Sequence, residues 1–206
     1  MKFEVKISKK PYPYLKAMEL LDQKVADIYD NNSKNLLWIL EHPNIYTGGT
    51  SSKDKDLLDS QKFPLFKTSR GGQWTFHGEG QKIVYLAHKI ENKNIKVFVR
   101  NMEKWIVNIL ETYNIKSIAD EKNIGIWVKQ KKNETNKIAA IGIRVKKWVA
   151  YHGFALNVNV NKANYKGIIP CGIHDRGIAN MTDFIEISKI KNLNETIIKK
   201  YKDIFV

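Results

Sequence analysis

The chain has one cysteine, Cys171, and it lies between a proline and a glycine in the run Pro170-Cys171-Gly172. Pro170 fixes its own φ and restricts the residue before it, while Gly172 would let a substrate carbonyl approach the backbone N–H groups closely. This setting is typical of a cysteine that is presented to a ligand. Because a lone cysteine is also often a small buried hydrophobe, the tripeptide alone leaves both interpretations open.

A lysine at the start of a strand of small residues is the second candidate for chemistry. Lys137 precedes Ile138 and the run Ala139-Ala140-Ile141-Gly142, whose small side chains leave room beside the strand. Most lysines in such a position are simply exposed. If Lys137 is instead desolvated near Cys171, its charge lowers the pKa of the thiol from a free value of about 8.5. The two residues would then form a thiolate nucleophile with an adjacent amine that can move protons.

Residues 70–80 have the most unusual composition in the chain, with four glycines in eleven residues among arginine, glutamine, aromatic and histidine side chains. Glycines let the backbone lie against a ligand, and Trp74 and Phe76 share one face of an extended segment. We expect an apolar slot with a glycine floor and walls formed by these aromatic rings, suited to a linear alkyl chain or a flat ring. A hairpin with ordinary core aromatics is an equally weighted alternative. The spacing of a phosphate-binding loop is absent.

The histidines show no pairing of the kind that a helix or a hairpin uses to bind zinc, so no metal is expected. A cysteine–histidine hydrolase remains open, because His77 or His152 could lie near Cys171 in three dimensions. The five histidines are His42, His77, His88, His152 and His174.

The elements that must position these residues follow from the apolar periodicity. It predicts amphipathic helices over residues 14–28 and 95–113, and Asn194 could cap a third. The predicted strands cover residues 3–7, 36–40, 66–68, 83–86, 124–128, 138–145, 149–160 and 185–187. Since strands outnumber helices without regular alternation, we predict an α+β fold with a mixed sheet. The 206 residues contain no repeat and no linker, so we expect one domain over residues 1–206.

The charge limits the class of partner. The net charge is +14, carried by 31 lysines and four arginines against 21 acidic residues. Such a field attracts nucleic acid or acidic proteins. The lysines are spread along the whole chain, which gives little support to a nucleic-acid-binding module. The lone cysteine argues against a secreted disulfide scaffold, and neither a signal peptide nor a run of ~20 apolar residues is evident, so we expect a soluble, cytoplasmic protein.

Together these segments resemble the lipoyl(octanoyl) transferase family from about Trp38 to Asn180. The resemblance rests on several motifs in a fixed order: Glu41-His42-Pro43 through Gly48, Arg70 through Gln81, Lys137 through Arg144, His152 through Asn157, and Pro170-Cys171-Gly172. It implies the fold shared with biotin and lipoate protein ligases, a mixed β-sheet flanked by helices. It also implies that Cys171 is the acyl-carrying nucleophile and Lys137 its activator. The implied substrate-binding residues are Arg70, Gly71, Gly72, Gln73, Trp74, Thr75, Phe76, His77, Ala140, Ile141, Gly142, Gly153, Phe154 and Ala155.

The resemblance implies transfer of an octanoyl or lipoyl group from acyl carrier protein to a lysine of a lipoyl domain, in lipoate biosynthesis and protein lipoylation. The implied acceptors are the lipoyl domains of 2-oxoacid dehydrogenases and the glycine cleavage H protein. No cofactor, membrane or nucleic acid is expected to take part, and we expect a monomer. An ATP-dependent lipoate or biotin protein ligase on the same fold is the alternative enzyme, although no nucleotide-binding loop is evident.

The sequence departs from the family pattern at two places near these motifs. Glu79 stands where the family usually has proline, so we expect a looser turn there. Ile178-Ala179-Asn180 replaces the usual Val-Thr-Ser and removes two hydroxyl groups near the cysteine. Neither change affects Cys171 or Lys137.

Overall fold

The computed structural model describes residues 3–120, 123–130, 134–170 and 176–206. Its helices are α1 (Tyr14–Tyr29), α2 (Ile95–Thr112) and α3 (Leu193–Phe205). Its strands are β1 (Phe3–Ile7), β2 (Asn35–Leu40), β3 (Ile45–Gly48), β4 (Leu65–Lys67), β5 (Trp74–His77), β6 (Gln81–Lys89), β7 (Ser117–Ala119), β8 (Ile126–Lys129), β9 (Thr135–Lys146) and β10 (Val149–Asn157).

Seven strands form a mixed sheet in the order β1-β2-β6-β10-β9-β8-β7. Strand β1 is parallel to β2, and the other neighbours in this sheet are antiparallel. A smaller sheet has the order β4-β3-β5, with β3 parallel to β4 and antiparallel to β5. The mixed sheet with flanking helices confirms the predicted fold class.

Helices cover both faces of the large sheet because each has one apolar face to bury. Helix α1 buries Leu21, Val25 and Ile28 against one face of the sheet. Helices α2 and α3 pack on the other face, where Trp105 and Tyr201 lie in the largest cluster of buried side chains. The sheet, including β9 and β10, therefore lies between two helical layers. None of the helices in the described ranges has the length and hydrophobicity that a bilayer crossing requires.

Two local expectations were wrong. The predicted strand at 185–187 is absent: the backbone N–H of Ile185 bonds back to Met181, and a 3₁₀ turn follows at Ile187–Lys189. Alternating isoleucines indicate a strand only when a partner strand is available, and no strand of the described ranges pairs with this segment. Conversely, residues 45–48, which are not among the predicted strands, form β3, because β4 and β5 pair with them on both sides.

Candidate active site

The centre of the molecule holds a cavity of about 530 Å³ beside β9, β10 and the loop 70–73. This volume lies in the range of small-molecule sites. Lys137 lines this central cavity. So do most of the residues that the family resemblance implied for substrate binding, namely Arg70, Gly71, Gly72, Gln73, Thr75, His77, Ala140, Ile141, Gly142, Gly153, Phe154 and Ala155. Segments far apart in sequence are therefore brought together.

Trp74 and Phe76 do not line the central cavity. They lie on the opposite face of β5, where Phe76 packs at 5.4 Å from the ring of Tyr165 in a separate buried cluster. Strand alternation explains the difference: Trp74 and Phe76 do share one face, but Thr75 and His77 share the face that lines the cavity. The aromatic walls expected from Trp74 and Phe76 are therefore absent from the cavity.

Small residues on two neighbouring strands make space for the cavity. Gly142 of β9 lies opposite Gly153 of β10, and Ala140 lies opposite Ala155. Gly153 has φ +155°, and a Cβ there would collide with the carbonyl oxygen of Val84. A side chain at this position would therefore both strain the backbone and push β6 away from β10.

The Arg70 side chain holds the cavity loop in place. Its Nη2 donates to the carbonyl and hydroxyl oxygens of Thr47, each at 2.8 Å, and to the Gln73 carbonyl at 3.1 Å. Its Nη1 donates to the Gly71 carbonyl at 2.9 Å. A planar guanidinium can make this set of bonds and an ammonium cannot. Although Arg70 lines the cavity, these bonds give it the role of a clamp between β3 and the loop 70–73.

Neutral histidines surround the cavity. Burial lowers the pKa of His77 and of His152 to about 3 and that of His42 to about 4. His42 Nδ1 lies 2.5 Å from the Tyr12 carbonyl, which can only accept, so Nε2 accepts the Tyr85 hydroxyl at 2.8 Å. Because His77 and His152 stay uncharged near neutral pH, a thiolate–imidazolium pair with either of them is disfavoured.

Lys137 is buried, with 5% of its surface exposed. Its Nζ donates to the Ile124 carbonyl at 3.2 Å and lies 4.6 Å from the ring centre of Trp127. Its backbone N–H donates to Gly177 and its carbonyl accepts from Ala179, each at 2.9 Å. The amine is therefore fixed at the wall of the cavity, and the segment that follows the cysteine motif is hydrogen-bonded beside it.

The predicted nucleophile, Cys171, and Gly172 lie outside the described residues. The residues on either side of that gap, Pro170 and Arg176, line a small pocket together with Lys137. Within the described ranges, no group of histidine, cysteine and carboxylate side chains could hold a metal ion.

The two departures from the family pattern have local partners. The Glu79 backbone N–H donates to Asn44 Oδ1 at 3.2 Å, in an exposed turn. The Asn180 side chain bonds the backbone of Val160 twice, as donor at 2.8 Å and as acceptor at 3.1 Å. An amide can satisfy two backbone groups at once, so Asn180 anchors its segment without a hydroxyl.

Some cavity residues were missed from the sequence. Ile83 and Tyr85 of β6 line the cavity together with Tyr14, Ser51 and Val99. The Tyr85 position follows from its pairing with Gly153 across β6 and β10. No local signal could have found these residues, because they reach the cavity only through pairing between distant segments.

Solved structures of two ligase classes share this fold. Lipoate-protein ligase A bound with ATP has a TM-score of 0.75 at 18% identity, covering 98% of this chain and 85% of that one. The bi-partite lipoate protein ligase from Thermoplasma acidophilum has a TM-score of 0.74 at 16% identity, covering 98% and 84%. Biotin protein ligase from Aquifex aeolicus scores 0.51 at 12% identity, covering 98% and 68%. At these identities the likeness establishes the fold alone.

Sequence comparison identifies the family of this chain, which the structural likeness does not. The model of the lipoyl protein ligase A/B catalytic domain family matches residues 13–202. An octanoyltransferase of Wolbachia pipientis subsp. Culex pipiens is 41% identical over 195 residues, covering 93% of this chain and 94% of that protein. An octanoyltransferase of Ehrlichia chaffeensis is 42% identical over 206 residues, covering 98% and 95%.

The chain belongs to the lipoyl protein ligase A/B catalytic domain family. Within that family, the relatives that match it nearly end to end are octanoyltransferases, so the chain is an acyltransferase. Octanoyl transfer in protein lipoylation, the function implied by the motifs, is thereby confirmed, while its chemical mechanism is a separate question.

Proposed function

We propose that this chain transfers the octanoyl group through a thioester on Cys171, with Lys137 as the group that accepts and returns protons. The observation that carries the proposal is the position of Lys137. Its buried side chain lines the central cavity and also the small pocket that Pro170 and Arg176 flank. The cysteine motif begins at Pro170 and therefore starts beside a desolvated amine.

The first half-reaction forms the acyl-enzyme. The Cys171 thiolate attacks the carbonyl carbon of the donor thioester, and the bond between that carbon and the donor sulfur breaks. The donor sulfur leaves with a proton supplied by Lys137. Backbone N–H groups near Gly172 are the proposed donors to the oxyanion, because fixed donors stabilise the charge that develops on this oxygen.

The second half-reaction forms the product amide. The amine of an acceptor lysine attacks the thioester carbon, the bond to the Cys171 sulfur breaks, and the proton lost by the amine passes to Lys137. One thioester is exchanged for another and then for a more stable amide. The sequence of steps therefore needs neither nucleotide nor metal.

The central cavity is the proposed site of the alkyl chain. Ala140, Ala155 and Ile83 give it an apolar lining, and Gly71 and Gly72 of the loop 70–73 add no side chains to it. Burial stabilises an alkyl chain by about 0.8 kcal/mol per methylene, close to fourfold in affinity for each carbon. Apolar burial is therefore the main source of affinity for an alkyl chain that fills the cavity.

The proposed donor is octanoyl-acyl carrier protein, and the proposed acceptors are the lipoyl domains of 2-oxoacid dehydrogenases and the glycine cleavage H protein. Both classes of partner are typically acidic, so a net charge of +14 would accelerate their encounter with the enzyme. We propose that the enzyme acts as a monomer in the cytoplasm, with residues 1–206 as one acyltransferase domain.

Intact-mass spectrometry tests the acyl-enzyme directly. After incubation with octanoyl-acyl carrier protein and no ATP, the wild type should gain the mass of one octanoyl group, and Cys171→Ser should not. Persistence of the adduct in Cys171→Ser would remove Cys171 from the mechanism. A strict requirement for ATP would favour a ligase instead.

The role of Lys137 needs its own variant. Lys137→Ala should slow both half-reactions by roughly a hundredfold or more, the usual range for loss of a positioned proton-transfer group. Circular dichroism should verify that the variant is folded. A normal rate in a folded Lys137→Ala protein would contradict the proposed role.

A further inference from the structure

We infer that the segment 123–127 is a cradle that positions the Lys137 amine, and that an Arg176–Asp120 ion pair ties this cradle to the chain that follows Cys171. Arg176 and Asp120 are thus positioning residues for octanoyl transfer. The inference rests on the proposed role of Lys137, because it concerns how that amine is held.

Ile124, Gly125 and Trp127 of the cradle lie around the amine. The Ile124 carbonyl accepts from Lys137 Nζ at 3.2 Å, and the Trp127 ring centre lies 4.6 Å from the same atom. Between them, Gly125 has φ +140°, and a Cβ there would lie 3.0 Å from Lys137 Cε and 3.3 Å from Nζ. The missing side chain at Gly125 therefore leaves the space that the end of the lysine occupies.

The cradle is itself fixed by hydrogen bonds. The Trp127 indole N–H donates to the Asn123 carbonyl at 2.9 Å, which sets the position of the ring that faces the amine. Asn123 in turn donates to both carboxylate oxygens of Asp120, from its backbone at 3.1 Å and from its side chain at 3.3 Å. The carboxylate thus organises the turn that leads into the cradle.

Arg176 joins this network from the other side of the cysteine motif. Its Nη1 donates to Asp120 Oδ2 at 2.7 Å, with both side chains mostly buried. Its guanidinium carbon lies 4.7 Å from the centre of the Trp127 ring that also faces Lys137. Two cations share one indole, which is the best aromatic partner for a cation. Because the Arg176–Asp120 ion pair is partly desolvated, it is stronger and has a better defined geometry than an exposed ion pair.

A second connection runs through the backbone. The Gly177 N–H donates to Asn136 Oδ1 at 2.7 Å, and the Lys137 N–H donates to the Gly177 carbonyl at 2.9 Å. Arg176 is therefore held at its side chain by Asp120 and next to its backbone by β9. Loss of the Asp120 charge should loosen the cradle and displace the amine while the strand pairing remains.

Kinetics of Asp120→Asn, Arg176→Gln and Gly125→Ala test the inference. A displacement of about 1 Å in a reacting group costs up to a hundredfold, so we expect kcat to fall between about tenfold and a hundredfold with little change in KM. Arg176→Lys retains the cation and should recover part of the loss. Asp54→Asn is the matched control, since Asp54 also pairs with a cation, Lys67, that lies 4.5 Å from a tryptophan ring.

Chemical labelling provides a readout that does not depend on activity. Acetic anhydride should modify Lys137 slowly in the wild type and several-fold faster in Asp120→Asn and Arg176→Gln, measured by peptide mass spectrometry relative to the other lysines. Asp54→Asn should leave the rate at Lys137 unchanged. Unchanged labelling or unchanged kcat in the two variants would overturn the inference. A fully active Lys137→Ala protein would instead overturn the proposed function, so the two failures are distinct.

Discussion

At the scale of single residues, the histidines are unusual because none of the four in the described ranges is available to carry charge near neutral pH. Burial lowers the pKa values of His42 and His88 to about 4 and those of His77 and His152 to about 3. Each occupies a fixed place in the interior, such as His88 Nδ1 at 2.7 Å from the Tyr201 hydroxyl. These imidazoles act as neutral polar groups of the core and the cavity wall.

The histidines predict a loss of stability in acid. An unfolded imidazole binds a proton below about pH 6.5, whereas the folded ones do so only near pH 3–4, so the unfolded state binds more protons between these values. We expect the free energy of unfolding to fall as pH drops from 6.5 to 4, by on the order of 1–2 kcal/mol per histidine at pH 5. Thermal melts across this range measure it. His77→Gln should flatten the pH dependence, and a constant melting temperature down to pH 4.5 would contradict the prediction.

At the scale of elements, the pair β9–β10 determines the cavity. The sequence showed the small residues of both strands and the order of the motifs, and the family resemblance grouped them. Neither the sequence nor the resemblance could show which face of β5 lines the cavity, because alternation gives two faces and only packing selects between them. Trp74 and Phe76 pack in the separate apolar cluster around Tyr165. For the same reason, the contribution of Tyr85 from β6 had no local signal.

The backbone at Gly153 gives an element-scale prediction. Gly153→Ala should destabilise the protein by about 1–3 kcal/mol or more, because alanine is strained at φ +155° and its Cβ would collide with the Val84 carbonyl oxygen. Urea unfolding measures the change. Gly71→Ala is the control for stability, since a Cβ there would meet its nearest atom, the Ile143 carbonyl oxygen, at 3.6 Å. Equal stability of the two variants would contradict the strain and the steric clash assigned to a side chain at position 153.

At the scale of the whole molecule, the excess of basic residues is distributed over the entire chain. The charge of +14 is too diffuse to indicate a nucleic-acid groove, but it creates a field that reaches beyond any single contact. Composition alone establishes the net charge, because the count of charged residues does not depend on the fold. The proposed acidic partners would meet the field before they meet the cavity.

Salt should therefore affect the reaction with protein donors. Raising NaCl from about 0.05 M to 0.5 M shortens the screening length severalfold, so kcat/KM for octanoyl-acyl carrier protein should fall by about tenfold or more. Octanoyl-pantetheine without a carrier protein is the matched control, since it has no charged surface to be attracted. A similar salt effect on both donors would assign the change to the active site and not to the encounter.

The facing pair Ala140 and Ala155 has a consequence for how this enzyme could diversify. The two methyl groups lie on adjacent strands, opposite each other, in the lining of the cavity. In the proposed binding mode, a larger side chain at either position would shorten the space for an alkyl chain. If the alkyl chain binds here as proposed, the sizes of these two side chains set the chain length that fits. A descendant enzyme could acquire a preference for shorter acyl groups by a single substitution while its chemistry stays intact.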